Sequence, residues 1–109
     1  MTQGVEAQFN TTIHSQIRLR ICALMRRVPE LEFTVIRDTL GLNEPNLSKN
    51  LKVLRDAGLI AVRKESSTAR SDARRLTWIA LTDQGRHALE GHLAALTDIA
   101  ECSPCLAGG

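Results

Sequence analysis

With 109 residues, 43% of them hydrophobic, the chain has room for one domain with a small core. It has no apolar run of about 18 residues to cross a bilayer, and its start, MTQGVEAQFNTTIHSQ, lacks the basic and apolar stretches of a secretory signal. A cytoplasmic protein with no membrane partner is therefore expected, its three cysteines reduced. The formal net charge of +2 hides an asymmetry: residues 44–75 hold eight Lys/Arg against four Asp/Glu, residues 76–109 one against four. A polyanion is expected to meet the middle of the chain.

Residues 1–11 are polar and predict a flexible N-terminus, 12–100 a folded domain, and 101–109, ending SPCLAGG, a flexible tail. Over 12–28, Ile13, Ile17, Ile21, Leu24 and Val28 recur near 3.6 residues, the period of a helix that Pro29 stops. Leu19, Cys22 and Met25 widen its apolar face. Residues 31–33 can add a brief strand to a sheet. Thr34 is the expected N-cap of a helix over 35–40, with Ile36 and Leu40 inward. Gly41 then offers the left-handed residue that ends a helix. Asn43 is the expected cap of the next helix, Pro45 sits in its first turn where a missing N–H costs nothing, and Gly58 closes it. Residues 59–65 alternate, with Ile60 and Val62 on one side and Ala61, Arg63 and Glu65 on the other. Residues 66–75 are polar and 76–81 read as a second strand, so the two strands flank a polar loop. Thr82 is the expected cap of the last helix, with Asp83 near the positive end of its dipole. That helix shows two stripes: Leu89, Leu93, Leu96 and Ala100, and beside them Ala88, His92, Ala95 and Ile99. One stripe can cover the core; the second needs another partner.

The segment TVIRDTLGLNEPNLSKNLKVLRDAGLI is the most informative in the chain. Two short amphipathic patterns flank Leu40-Gly41-Leu42-Asn43, the arrangement of a helix–turn–helix. In the second, Leu47, Leu51 and Leu54 fall at core spacing, leaving amides and ammonium groups to face outward, as a helix in a major groove requires. GLNEPNLSKNLKVLRDAGLI resembles the recognition helix and following strand of the MarR and ArsR families of bacterial winged-helix regulators. SDARRLTWIALTDQGR is similar to the wing and last-helix start of the MarR type. The fold class expected is mainly α with a small β-hairpin wing (α+β), a winged helix-turn-helix. The resemblance implies a homodimeric, sequence-specific regulator of double-stranded DNA, a repressor, on a palindromic operator.

The candidate recognition residues are Pro45, Asn46, Ser48, Lys49, Asn50 and Lys52. Asn46 and Asn50, four apart, can each offer an amide pair to an adenine edge; Lys49 can reach guanine or phosphate, and Lys52 phosphate. Glu44, repelled by phosphates, fits better at the helix dipole. The candidate wing residues are Arg63, Lys64, Arg70, Asp72, Arg74 and Arg75. By resemblance to the Asp–Arg wing signature of MarR proteins, Asp72 braces Arg74 for entry into a minor groove. Ile13, Ile17, Leu19, Ala88, His92, Ala95, Leu96 and Ile99 are the candidate dimer face, on the doubly apolar first and last helices.

Other classes have weaker support. Cys102 and Cys105 form a C-x-x-C that a metal- or redox-responsive regulator could use, but two ligands do not make a zinc site and no βαβ context surrounds them. Residues 34–58 contain no Cys or His, a departure from metal-sensing ArsR proteins. Cys22, on an apolar face, reads as a buried, inert thiol. The chain is short for the effector pocket of long MarR proteins, so a small-molecule effector is possible but not indicated. A protein-interaction module would present an apolar face in place of the Asn/Lys-rich one. RNA binding lacks aromatic residues among the basic ones. An enzyme lacks a phosphate-binding glycine loop, paired carboxylates and an activated nucleophile. No metal and no cofactor are expected.

Overall fold

The computed structural model describes residues 6–66 and 75–108, with the side chains of Arg75 and of residues 102–108 outside the description. Helix α1 (Gln16–Leu24) continues as one 3₁₀ turn, Met25–Arg27. Strand β1 (Leu31–Glu32) leads into α2 (Phe33–Leu40), then α3 (Glu44–Asp56), β2 (Ile60–Ser66), β3 (Arg75–Leu81) and α4 (Asp83–Gly108). The three strands form one antiparallel sheet in the order β1-β3-β2, with Leu31 opposite Ile79, Val62 opposite Ile79 and Arg63 opposite Trp78. The α+β winged-helix architecture expected from the sequence is the one observed.

The punctuation residues act as their chemistry requires. Gly41 (φ 67°) and Gly58 (φ 77°) take left-handed backbone after α2 and α3, where a Cβ would be strained. The Asn43 carboxamide accepts the Asn46 N–H at 2.8 Å, and Thr82 Oγ1 accepts the Gly85 N–H at 2.9 Å. Thr34 does not cap α2. The helix starts two residues earlier, at Phe33, with Glu32 at the cap position, and the Thr34 hydroxyl donates to the Glu32 carboxylate.

Ile13, Ile21, Met25, Ile36, Leu47, Leu54, Ile79 and Leu89 are fully buried and join all four helices to the sheet. At roughly 1.5–3 kcal/mol for each large aliphatic side chain, this burial is the main force fixing α3 against the rest. Residues 8–10 pair with α4: the Gln8 N–H donates to Gly91 O at 2.9 Å, the Asn10 N–H to His92 Nδ1 at 3.0 Å, and the Phe9 ring meets His14 at a tilt and His92 edge-on. α4 runs through Gly108, taking in the residues expected to form the tail.

The α4 stripes also divide differently. Leu89, His92 and Ala95 face the core together, drawn from both predicted stripes. His92 is fully buried because its ring is satisfied: Nδ1 accepts from Asn10 and Nε2 lies 3.3 Å from His14 Nδ1. Ile13, His92 and Ala95 are thus interior residues of one chain, not members of a dimer face. Ile17, Leu19 and Ala88 pack partly against the core, Leu96 is half-buried and Ile99 is 60% exposed. Among the described residues no helix is long and apolar enough to cross a membrane.

Candidate nucleic-acid interface

α3 is held from below by Leu47, Leu51 and Leu54, and this fixes what its other faces present. Pro45, Ser48, Lys49 and Lys52 are exposed and Asn46 is half-buried. Lys52 pairs with Asp56 at 3.1 Å, whereas Lys49 makes no ion pair among the described residues. Glu44 is drawn to Arg37 of α2 at 3.2 Å, at the start of α3, as its position near the dipole's positive end favours.

Asn50 overturns an expectation. Its side chain is only 6% exposed and cannot present an amide pair to a base edge. Four residues separate it from Asn46, which places the two on nearby faces, yet Asn50 lies on the edge that turns toward α1. Its amide is consumed there: Nδ2 donates to Asn46 O at 2.9 Å and to Asn46 Oδ1 at 2.8 Å, while Oδ1 accepts from Arg18 Nη1 at 3.0 Å. Burial of a polar side chain demands this satisfaction, and no described buried side-chain N or O lacks a partner. Arg18, which sequence reasoning did not single out, reaches across 32 positions of chain to make the contact. Nothing in the spacing could have indicated it.

The hairpin splits its basic residues between two faces. Lys64 shares the face of Ile60 and Val62 and, with Ser48, Lys52, Arg55 and Thr77, lines a cleft of about 440 Å³ between α3, the start of α2 and the sheet. Arg55 was not among the expected residues; it lies one turn after Lys52 on the same side of α3. Arg63 points the other way, pairing with Glu30 at 2.7 Å and Glu65 at 3.6 Å, its guanidinium 5.7 Å from the Trp78 ring centre. This geometry braces the root of the hairpin and leaves Arg63 less free than Lys64 to reach a ligand. Arg70, Asp72 and Arg74 lie outside the described residues, and Arg75 is placed only by its backbone, at the first position of β3.

No described group of three or more His, Cys, Asp or Glu is placed to hold a metal ion. The His14–His92 pair is also ill suited to one. Because the Asn10 N–H donates to His92 Nδ1, the ring proton sits on Nε2, which then donates toward His14. A metal at Nε2 would displace that proton and leave His92 with no N–H at all. Burial of the Cys22 thiol pushes its pKa up to about 12, Arg18 pulling weakly the other way, so it stays a protonated thiol. The side chains of Cys102 and Cys105 lie outside the described residues.

Comparison with known proteins agrees with this geometry. The family described as a winged helix DNA-binding domain matches residues 17–100. An uncharacterized protein of Methanocaldococcus jannaschii is 26% identical over 92 residues, covering 84% of this chain and 96% of that one. A transcriptional regulator homologue from Pyrococcus horikoshii superposes with a TM-score of 0.75 at 23% identity, over 83% of this chain and 85% of that one. The regulator NadR, solved in complex with 4-hydroxyphenylacetate, superposes with a TM-score of 0.65 at 22% identity, over 92% of this chain and 67% of that one. The fold is thus the winged-helix one expected from the sequence, and the chain belongs to the winged helix DNA-binding domain family.

Proposed function

We propose that this winged-helix protein is a sequence-specific regulator of transcription that inserts α3 into the major groove of double-stranded DNA as a homodimer. The observation that carries the reading is the division of α3 into a face of three buried leucines and an opposite face of exposed Ser48 and Lys49 beside half-buried Asn46. Asn46 offers its amide to an adenine edge, Lys49 its ammonium to guanine or phosphate, and Ser48 its hydroxyl to either. Pro45, exposed in the first turn where its missing N–H costs nothing, lies at the end of α3 that would enter the groove. Lys52 and Lys64, on the shared cleft, take phosphates that fix register without reading sequence. In the wing, Arg74 braced by Asp72 enters a narrow minor groove, with Arg70 and Arg75 along the backbone.

Two copies would join through Ile17, Leu19, Ala88, Leu96 and Ile99, with Ile99 the most exposed large apolar side chain of α4 among the described residues. Such a dimer sets two recognition helices about 34 Å apart, one turn of DNA, and so reads a palindromic operator. Repression would follow from blocking a promoter. Lys49→Ala tests the central contact: it should weaken binding to the operator much more than binding to random duplex. Equal losses on both would reduce Lys49 to a phosphate contact and remove this base contact from the reading.

A further inference from the structure

We infer that Arg18 and Asn50 are positioning residues that set the base-contacting amide of Asn46, so that α1 fixes the specificity of α3. The inference rests on the proposed contact between Asn46 and a base. Its basis is a chain of hydrogen bonds running from the start of α1 into the recognition helix. Arg18 Nε donates to Thr12 O at 2.6 Å and its Nη1 to Asn50 Oδ1 at 3.0 Å. With that oxygen engaged, the Asn50 amide can turn only one way, NH₂ toward Asn46. The NH₂ group then donates to both Asn46 O and Asn46 Oδ1.

The consequence falls on Asn46. Its side-chain oxygen is held by Asn50, so its own NH₂ group must lie on the opposite side of the carboxamide. A free surface asparagine has several rotamers and two amide orientations, and ordering it on binding costs affinity. Here one orientation is selected before DNA arrives, with one oxygen lone pair and two N–H donors left over. That is the donor–acceptor pair that an adenine edge demands. The network lies on the inner flank of α3, where Asn50 is 6% exposed, so water does not compete for it.

The substitution that isolates this role is Asn50→Asp. A carboxylate still accepts from Arg18, more strongly than an amide, but it cannot donate to Asn46 and opposes two oxygens there. The readout is the ratio of dissociation constants on random duplex and on the duplex that the wild-type protein selects from a randomised pool. Thermal midpoint and salt dependence are measured in parallel. Asn46→Ala should lower the ratio about tenfold or more, the size of a lost bidentate base contact. Asn50→Asp should lower it by a similar factor with the salt slope unchanged, and the double variant should lose no more than either alone. Arg18→Lys, which keeps the charge but lacks the planar fork that spans Thr12 O and Asn50 Oδ1, should lower the ratio severalfold in a folded protein.

A purely structural role would move the thermal midpoint and leave the ratio alone. Folded Asn50→Asp or Arg18→Lys protein with the wild-type ratio would overturn the inference. Losses that multiply in the double variant would also overturn it, because Asn50 would then act independently of Asn46. An unchanged ratio in Asn46→Ala would mark a different failure, that of the Asn46 base contact itself, and the inference would fall with it.

Discussion

Gly85→Ala should unseat the root of α4, although alanine is ordinarily the better helix residue. A Cβ at Gly85 would lie 1.8 Å from Leu59 O and 2.8 Å from Leu59 C, backbone atoms that cannot rotate away. To restore van der Waals distance, the first turn of α4 must retreat by roughly 1.5 Å from Leu59, just before β2. That movement strains a cluster of bonds. The Thr82 N–H donates to Leu59 O at 3.1 Å, Thr82 Oγ1 donates to Gly58 O at 2.8 Å, and the same hydroxyl caps Gly85. Overpacking costs about 1–3 kcal/mol and each weakened hydrogen bond about 0.5–1.5 kcal/mol, against a gain of about 1 kcal/mol in helix propensity. The net loss is about 2–6 kcal/mol, or a fall of roughly 10–30 °C in Tm for a domain of this size. Gly91→Ala is the matched control. Its Cβ would meet Glu6 O at 3.0 Å, a contact that a movement of a few tenths of an ångström relieves. Its cost should stay within about 1 kcal/mol, offset by the same propensity gain. Thermal unfolding followed by circular dichroism on both variants decides the matter. Gly85→Ala protein as stable as Gly91→Ala would refute the close-approach argument.

Three further outcomes are expected. Burial, and secondarily the charge of His14, holds the His92 pKa below its ordinary 6.5, so the folded state binds this proton less readily than the unfolded chain. The stability His92 contributes is therefore whole above about pH 6.5 and is lost as pH falls below it. Tm should drop between pH 7.5 and 5.5, and His92→Gln, which can still accept from Asn10, should flatten that slope; an unchanged slope would exclude His92 as its source. Cys22, buried and with its pKa pushed up to about 12, should resist thiol reagents at pH 8 in Cys102→Ser/Cys105→Ser protein until the chain is unfolded. Rapid labelling in the native state would contradict its burial. Ile99→Glu should weaken self-association in sedimentation equilibrium with little change in monomer stability, since the side chain is 60% exposed; unaltered assembly would remove this face from the proposed dimer.

The sequence carried the elements of this fold because its local signals agree with one another. Gly41, Asn43, Pro45, Gly58 and Thr82 mark helix ends by backbone chemistry alone, and the leucines of α3 declare its buried face by period. Long-range polar contacts leave no such trace. Asn50 read as a partner of Asn46 on a groove-facing surface, whereas an arginine 32 residues away turns it into a buried link. His92 read as one of an outward stripe, whereas Asn10 and His14 satisfy it inside. The N-terminal residues read as loose because they are polar, yet they pair with α4 through backbone groups that every sequence possesses. The basic hairpin was legible as a charge cluster, and alternation already set Arg63 opposite Ile60 and Val62, but the pairing of Arg63 with Glu30, 33 residues away, left no trace in the spacing.

Whether α3 reads a DNA sequence is decided by a fluorescence-anisotropy titration. The full chain is titrated onto a duplex from upstream of its own gene and onto a scrambled duplex of equal composition, at two salt concentrations. Base reading by α3 requires tighter binding to the upstream duplex, with the preference surviving at the higher salt, because base contacts do not depend on counterion release as phosphate contacts do. Equal binding that disappears on both duplexes as salt rises would contradict sequence reading by α3 at this DNA and leave only backbone attraction.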